Sequence, residues 1–331
     1  MNATIPGMDT FRRAKLSALA ATALALALPS AASRAEVGEQ GKADHVKIEL
    51  WDGNRAMTLI NEQLRFTPRS LDTPGHQQTI EFIKSELAKA GIDDVSTQRW
   101  AYRSDDGKSY AMTNIIARLD PSNPRRIIVA THYDSIVRAY ADKSNPQGPM
   151  PGANNSASGV AVLLETARVL SLLPKPAVGI DMIFFDGEEG PRSLGAGDPN
   201  WKALGSPYFA AHLRDFYPNA KPEKAVVFDM VCDRDLKLRP EPSSVASALP
   251  EVQKYWRTGQ TVAPSAFDTH MTSYPISDDH TALAAAGIPS FLVIDFEYEP
   301  FFNTTQDTAD KCSVGSLEAV GRTTLQYLYL P

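Results

Sequence analysis

Short apolar runs alternate with segments of helical periodicity along the chain. The runs are rich in Val, Ile and Phe and have the length of buried strands, and they lie at 114–119, 127–130, 180–185, 225–228 and 289–294. Helices are predicted between and after them, at about 80–90, 159–172, 250–259, 278–286 and 316–328. Continuous apolar strands that alternate with helices are typical of a mostly parallel sheet covered on both faces. The pattern therefore predicts one α/β domain.

The residues before this pattern predict a signal peptide at 1–35. Basic residues at 12–15 precede a small, apolar stretch at 16–28, which is too short to span a bilayer, and small side chains suit cleavage near Ala35. The paired arginines leave the twin-arginine export route open. A buried or amphipathic helix is disfavoured because the segment has no polar face. We expect a mature domain at 36–331 that is periplasmic or secreted.

Charge and cysteine content narrow the choice of partners. A net charge of -6 argues against nucleic acid or an anionic membrane surface as a partner. No later apolar run has the length of a membrane span, so we expect no membrane association after signal cleavage. Cys232 and Cys312 could form a disulfide after export, but their spacing does not show whether they meet. That pairing stays open.

Acidic and imidazole side chains follow three of the predicted strands. Open α/β sheets bind ligands beyond the carboxyl ends of their strands, and carboxylates crowded at such an edge repel one another unless a cation is present. The sequence therefore predicts a metal-assisted site there. The candidate side chains, in chain order, are His132, Asp134, Asp186, Glu188, Glu189 and Asp229.

Each group also has an ordinary structural explanation. His132 could be a core histidine that hydrogen-bonds to Asp134, because residues two apart in a strand point the same way. The acidic segment at 186–189 could be a solvated turn, and Asp229 could belong to an ion pair. The aspartates at 278–279 open a predicted helix, where they could serve as caps.

Two other enzyme classes are disfavoured by the spacing of small residues. A serine nucleophile elbow needs Gly-x-Ser-x-Gly, whereas Ala157 holds the serine position before Gly159. The chain also has no Gly-x-Gly-x-x-Gly or Walker pattern for a dinucleotide or phosphate.

Taken together, the motifs resemble the zinc exopeptidase family of secreted bacterial aminopeptidases. Ser-Asp-Asp-His at 277–280 is also similar to the branch that contains glutaminyl-peptide cyclotransferases. The resemblance implies a mixed, mostly parallel sheet between helices, one or two zinc ions at its carboxyl edge, and peptide or protein N-termini as substrate or ligand. The motifs that carry it, in order, are His-Tyr-Asp-Ser at 132–135, Gly-Ala-Asn-Asn-Ser-Ala-Ser-Gly at 152–159, Phe-Phe-Asp-Gly-Glu-Glu at 184–189, Asp-Met at 229–230 and Asn-Thr-Thr-Gln-Asp-Thr at 303–308.

The resemblance also implies a role for each motif residue. His132 and Asp229 match the terminal ligands of one zinc ion, and Glu189 matches a ligand of the other. Glu188 matches the general acid/base, and Asp134 matches the partner that orients the metal-binding histidine. Asp279 is a further candidate, as a catalytic carboxylate or as a ligand borrowed from nearby. Four aromatic residues near these loops could line an apolar pocket: Trp201, Tyr298, Phe301 and Phe302.

The chain departs from the family pattern at two ligand positions. Asn155 stands where a bridging aspartate is expected, and Asn303 stands where a histidine is expected. An amide offers only a neutral oxygen, which is a poor zinc ligand, so we expect one zinc ion or none. Two hypotheses follow. The first is an exported enzyme acting at peptide N-termini, as an aminopeptidase or a glutaminyl cyclase, and the second is an inactive relative that binds peptides or a protein partner.

Overall fold

Six strands in the described part of the chain form one mixed sheet. They span Val95–Arg103 (β1), Ser109–Leu119 (β2), Arg126–His132 (β3), Gly179–Phe185 (β4), Lys224–Asp229 (β5) and Ser290–Ile294 (β6). Their spatial order is β1-β2-β4-β3-β5-β6. The last four strands along the chain run parallel to one another, whereas β2 runs antiparallel to both β1 and β4. The predicted fold class is therefore confirmed.

The computed structural model of the protein describes residues 46–194 and 198–330. The predicted signal peptide at 1–35 lies outside these residues. The described residues belong to a single compact unit. Within the described ranges, the helices are too short or too polar to cross a membrane.

Helices cover both faces of the sheet. They span Gly53–Leu64 (α1), Pro74–Lys89 (α2), Ala157–Leu172 (α3), Gly205–Ala211 (α4), Leu213–Phe216 (α5), Pro242–Val262 (α6), Asp279–Ala285 (α7) and Val314–Tyr329 (α8), with short 3-10 turns at Ile48–Leu50 and Ala309–Lys311. Helices α1, α2, α3, α6 and α8 contribute to the core on one face, and α4, α5 and α7 contribute to the core on the other.

Strand β3 shows why the central runs are apolar at nearly every position. Ile127 and Val129 pack into the first core, whereas Ile128 and Ala130 pack into the second, because successive side chains of a strand point to opposite faces. All residues of this strand are buried. A strand covered on both faces has no exposed side for polar residues.

The parallel strands end together at one edge of the sheet. His132 pairs with Phe185 at the ends of β3 and β4, and Asp229 pairs with Ile294 at the ends of β5 and β6. The polar side chains that follow these strands therefore gather at one edge.

Several elements differ from the sequence prediction. It omits helices α1, α4 and α5, and it begins α2 near residue 80 and not at Pro74. The prediction omits β1, which alternates exposed and half-buried residues and pairs with β2 at the edge of the sheet. Helix α6 begins earlier than the predicted 250–259 segment, because Glu241 caps it and Pro242 occupies its first turn. Pro250 lies inside this helix, next to a break from helical geometry at Ala248.

The structure pairs the two cysteines. Cys232 follows β5 and Cys312 precedes α8, and a disulfide joins them across 80 residues of sequence. It links the segment behind the predicted site to the polar loop at 303–310.

Candidate active site

A cavity of about 590 Å³ opens at the carboxyl edge of the sheet. Its polar wall is acidic and amidic, formed by Asn155, Glu188, Glu189, Asp229, Asp278 and Asn303. Its apolar wall includes Leu194, Trp201, Tyr274, Ile276, Ile294, Phe296 and Phe302. Of the four aromatic residues expected to line a pocket, Trp201 and Phe302 do so. Tyr298 is instead buried, and its hydroxyl donates to a carboxylate oxygen of Asp307 at 2.8 Å.

His132 lies at the centre of the acidic groups. Its Nε2 atom is 3.2 Å from Asp229 Oδ1, and its Nδ1 atom is 3.4 Å from Asp134 Oδ1 and 3.9 Å from Glu188 Oε2. Burial alone would lower the pKa of His132. Attraction to Glu188 and hydrogen bonds with Asp134 and Asp229 instead raise this pKa well above 6.5. The charged imidazolium therefore partly balances the surrounding carboxylates.

Asp134 positions the two glutamates as well as the histidine. Its Oδ1 atom accepts the backbone N–H of Glu188 at 3.1 Å, and its Oδ2 atom accepts that of Glu189 at 3.2 Å. The turn that carries both glutamates needs Gly187, whose φ is +70° and whose added Cβ would lie 2.4 Å from Met112. The predicted pairing of Asp134 with His132 is present in this geometry.

Burial and mutual repulsion make the cavity acids weak. Burial is the main cause that raises the pKa of Glu188 well above 4.5, the pKa of Glu189 to about 8 and the pKa of Asp278 to about 6. Neighbouring carboxylates raise all three further, while His132 lowers them. Carboxyl groups that hold protons near neutral pH are suited to proton transfer.

Asn155 makes a direct contact with Glu189. Its Nδ2 donates to Glu189 Oε1 at 2.7 Å. The backbone is held from behind, because the N–H groups of Asn154 and Asn155 donate to the carboxylate of Asp307 at 2.8 and 3.1 Å. The polar loop at 303–308 therefore has a structural task, which is to fix the segment that carries Asn155.

Asn303 begins that loop with a left-handed backbone, at a φ of +53°. The side-chain Nδ2 of Asn303 donates to the hydroxyl of Tyr140 at 3.0 Å, and its backbone carbonyl oxygen accepts the N–H of Ala141 at 3.2 Å. The side-chain oxygens of Asn155 and Asn303 are buried, and neither has a hydrogen-bond donor among the described residues. Two unpaired acceptors thus belong to residues that line the cavity.

The structure turns Asp278, not the predicted Asp279, toward the cavity. Asp279 is fully buried and accepts a hydrogen bond from Ser206 Oγ at 2.5 Å. Asp278 caps α7 by accepting the N–H of Asp279, so the capping explanation holds for it as well. Both lie in the Ser-Asp-Asp-His motif, and the sequence does not distinguish which carboxylate faces the cavity. Sequence reasoning thus missed Asp278 as a cavity residue. It also missed Glu241, which holds the loop before α7 in place by accepting the N–H of Ile276 at 3.1 Å.

Asp186 does not take part in the site. Its carboxylate accepts the backbone N–H of Thr113 at 2.6 Å and contacts His76 Nε2 at 2.7 Å. The predicted crowding of carboxylates after β4 therefore involves the two glutamates of that turn, while Asp186 ties α2 to the sheet.

The described residues offer a zinc ion two ligand atoms on one side of the cavity and poorer ligands on the other. Tetrahedral zinc with bonds of about 2.0–2.1 Å to nitrogen and oxygen places neighbouring ligand atoms roughly 3.3 Å apart. The 3.2 Å separation of His132 Nε2 and Asp229 Oδ1 agrees with such a ligand pair. Glu189, by contrast, is already bonded to an amide N–H, and Asn155 and Asn303 offer only neutral oxygens. Within the described ranges, no group of three His, Cys, Asp or Glu side chains is arranged around one ion.

Comparison with known proteins identifies relatives of this chain. A glutaminyl-peptide cyclotransferase of Drosophila melanogaster is 27% identical over 73% of this chain and 71% of its own length. Aminopeptidase YwaD of Bacillus subtilis is 29% identical over 81% of this chain, and the match spans 55% of that longer protein. The crystal structure of a Zn-dependent exopeptidase from Parabacteroides distasonis superposes with a TM-score of 0.78 at 28% identity, covering 85% of this chain and 99% of that one.

A family model provides the assignment. Residues 114–328, which are well over half of the chain and include every predicted site residue, match the model of peptidase family M28. The family acts on peptide substrates and includes zinc-dependent exopeptidases, aminopeptidases and glutaminyl cyclases. The resemblance predicted from the sequence motifs is confirmed. The chain belongs to peptidase family M28.

Proposed function

We propose that the exported protein is an enzyme that acts at the free N-termini of peptides, with Glu188 as the general acid/base. The observation that carries the proposal is the position of Glu188. Its carboxyl group lines the cavity, has a pKa raised well above 4.5 by burial, and lies 3.9 Å from His132. A carboxyl group in this setting can accept a proton and return it during one reaction.

The neighbouring residues support this role without touching the bond that reacts. Asp134 fixes the backbone of Glu188 and orients His132, so the position of the acid does not depend on the bound peptide. The imidazolium of His132 stabilises the ionised form of Glu188 once the proton has left. The apolar wall formed by Trp201 and Phe302 excludes water and accommodates an uncharged side chain.

Cyclisation of an N-terminal glutamine is the reaction that this site supports best. The α-amino group first loses its ammonium proton to solvent. The neutral nitrogen then attacks the side-chain amide carbon, a new C–N bond forms, and the original bond to the amide nitrogen breaks. Glu188 carries one proton from the attacking nitrogen to the departing ammonia. The nucleophile belongs to the substrate, and this proximity gives a high effective concentration. The reaction therefore needs no metal-activated water. Zinc, when bound by His132 and Asp229, would supply a Lewis acid that polarises a carbonyl group.

The test compares two reactions of purified residues 36–331. One assay follows the loss of ammonia from a Gln-initiated peptide by mass spectrometry, and the other follows release of the first residue from a Leu-initiated peptide. Glu188→Gln is expected to lower turnover by at least about a hundredfold. Glu81→Gln, at an exposed position on α2, is the matched control and is expected to leave turnover unchanged.

The results separate three outcomes. Turnover of the Gln-initiated peptide that is lost in Glu188→Gln would support cyclisation. Turnover of the Leu-initiated peptide alone would assign the aminopeptidase reaction in place of cyclisation, with the same acid/base. Turnover of neither peptide, with and without added zinc, would reject the enzymatic proposal. The two asparagines at expected ligand positions then favour a relative that binds peptides without transforming them.

A further inference from the structure

The acceptor oxygens of Asn155 and Asn303 have no task in the site described so far. Both side chains line the cavity, and the two residues are only 4% and 3% exposed. A buried amide oxygen without a donor is unfavourable, because it has lost its hydrogen bonds to water and gained none in the protein. Two such oxygens, on residues that line one cavity, indicate a ligand that supplies N–H groups or a cation.

The amide nitrogens of both residues are engaged elsewhere. Asn155 Nδ2 donates to Glu189 Oε1 at 2.7 Å, and Asn303 Nδ2 donates to the Tyr140 hydroxyl at 3.0 Å. These contacts leave each side-chain oxygen as the part that remains for a ligand. Together with the carboxyl group of Glu189, the cavity therefore offers a set of acceptors with few donors.

We propose that Asn155, Asn303 and Glu189 form a subsite for the free α-amino group of a peptide, bound in its protonated form. The proposal rests on the function proposed above and assigns these residues a task in it. A primary ammonium group has three N–H donors and no acceptor, which matches two amide oxygens and one carboxylate. A bound ammonium group favours the ionised form of Glu189, and this single negative charge suffices for a monovalent organic cation.

A metal ion suits the same residues less well. Zinc prefers imidazole, thiolate and carboxylate ligands, and Ca²⁺ takes six to eight oxygens. The apolar wall of the same cavity, which includes Ile294 and Phe302, favours an amine attached to an organic group over a hydrated ion. Asn155 and Asn303 thus take the place of metal ligands by binding the substrate itself.

The test measures binding of Gln-Phe-amide and of N-acetyl-Gln-Phe-amide by calorimetry. Acetylation removes the charge and two of the donors, and the Glu188→Gln background prevents turnover during the titration. We expect the free-amine peptide to bind at least about tenfold more tightly than the acetylated one. Adding Asn155→Ala or Asn303→Ala is expected to reduce this preference by about tenfold, since each removes one charge-assisted hydrogen bond. Binding of the acetylated peptide is expected to stay within twofold.

The acetylated peptide also reports whether each variant is folded. Asn61→Ala removes an asparagine at an exposed position on α1 and is expected to keep the full preference. Tyr140→Phe keeps Asn303 but removes the acceptor of its Nδ2, and it is expected to reduce the preference by a smaller factor. An unchanged preference in both alanine variants, or no binding of the free-amine peptide, would overturn the subsite.

Metal content provides the remaining comparison. A stoichiometric divalent ion in the purified protein that disappears in Asn155→Ala and Asn303→Ala would show that the amides bind a metal, and it too would overturn the proposal. The proposed function fails separately, because it depends on the loss of turnover in Glu188→Gln and not on these binding ratios.

Discussion

Replacing Asn155 by aspartate should convert a hydrogen bond into a repulsion. The amide Nδ2 lies 2.7 Å from Glu189 Oε1, and both residues are buried. In Asn155→Asp at a pH above 8, where Glu189 is ionised, two carboxylates occupy this separation and repel one another unless a cation lies between them. A hydrogen bond to a charged group contributes about 1.5–3 kcal/mol, and the repulsion adds to its loss. We expect the free energy of unfolding to fall by about 2–4 kcal/mol in a chelating buffer.

Zinc should restore much of this loss in the aspartate variant. At a free concentration one hundred times its dissociation constant, a ligand that binds only the folded state adds about 2.7 kcal/mol. Urea unfolding with chelator and with zinc measures both effects. Asn155→Ala is the control, since it removes the amide donor without adding a ligand. The reasoning is refuted if Asn155→Asp is as stable as the original protein in chelator, or if zinc stabilises it no more than it stabilises Asn155→Ala.

Three further predictions concern the rest of the molecule. Replacing both Cys232 and Cys312 by serine should lower the free energy of unfolding by about 2–4 kcal/mol, because the bond closes a loop of 80 residues; reduction of the original protein should give the same urea midpoint. Burial would raise the pKa of Glu241, but His280, whose Nε2 lies 3.2 Å from Glu241 Oε1, and hydrogen bonds from the N–H groups of Ser244 and Ile276 lower it from 4.5 to about 2. Its contribution of up to about 3 kcal/mol should therefore be complete above pH 4.5 and lost as the pH falls toward 2, and pH-dependent unfolding of Glu241→Gln should lack this part of the acid slope. Amino-terminal sequencing of exported protein should begin after Ala35.

The central strands could be predicted because burial on both faces leaves a simple pattern. Every position of β3 and of β4 is buried, so the sequence shows continuous apolar runs that end where the polar edge begins. Strand β1 could not be predicted in this way, since its residues alternate between exposed and half-buried positions. Parallel strands end at the same edge of a sheet, so the sequence predicts that His132 and Asp229 lie at one edge. It does not predict the distance between their side chains.

The choice between neighbouring side chains depends on tertiary contacts that the sequence does not contain. Asp278 and Asp279 are adjacent and chemically alike, yet Ser206 on α4 binds the second and leaves the first at the cavity. The sequence also leaves the cysteine pairing open, because 80 residues of intervening chain determine where the two sulfurs lie. The sequence also does not show that Asp186 contacts His76, because that histidine lies on α2, far earlier in the chain.

The contacts in the structure give the crowded carboxyl groups a different explanation from the one that the sequence suggests. From sequence alone, acids at one edge of a sheet require a divalent ion, because like charges repel. In the structure, the His132 imidazolium lies within 4 Å of three carboxyl groups, those of Asp134, Glu188 and Asp229, and the Asn155 amide donates to a fourth, on Glu189. Protonation of the weak acids removes further charge. A site with amides at two of its expected ligand positions can therefore keep its acids in place without a pair of metal ions, and a substrate can supply the positive charge that the site still accommodates.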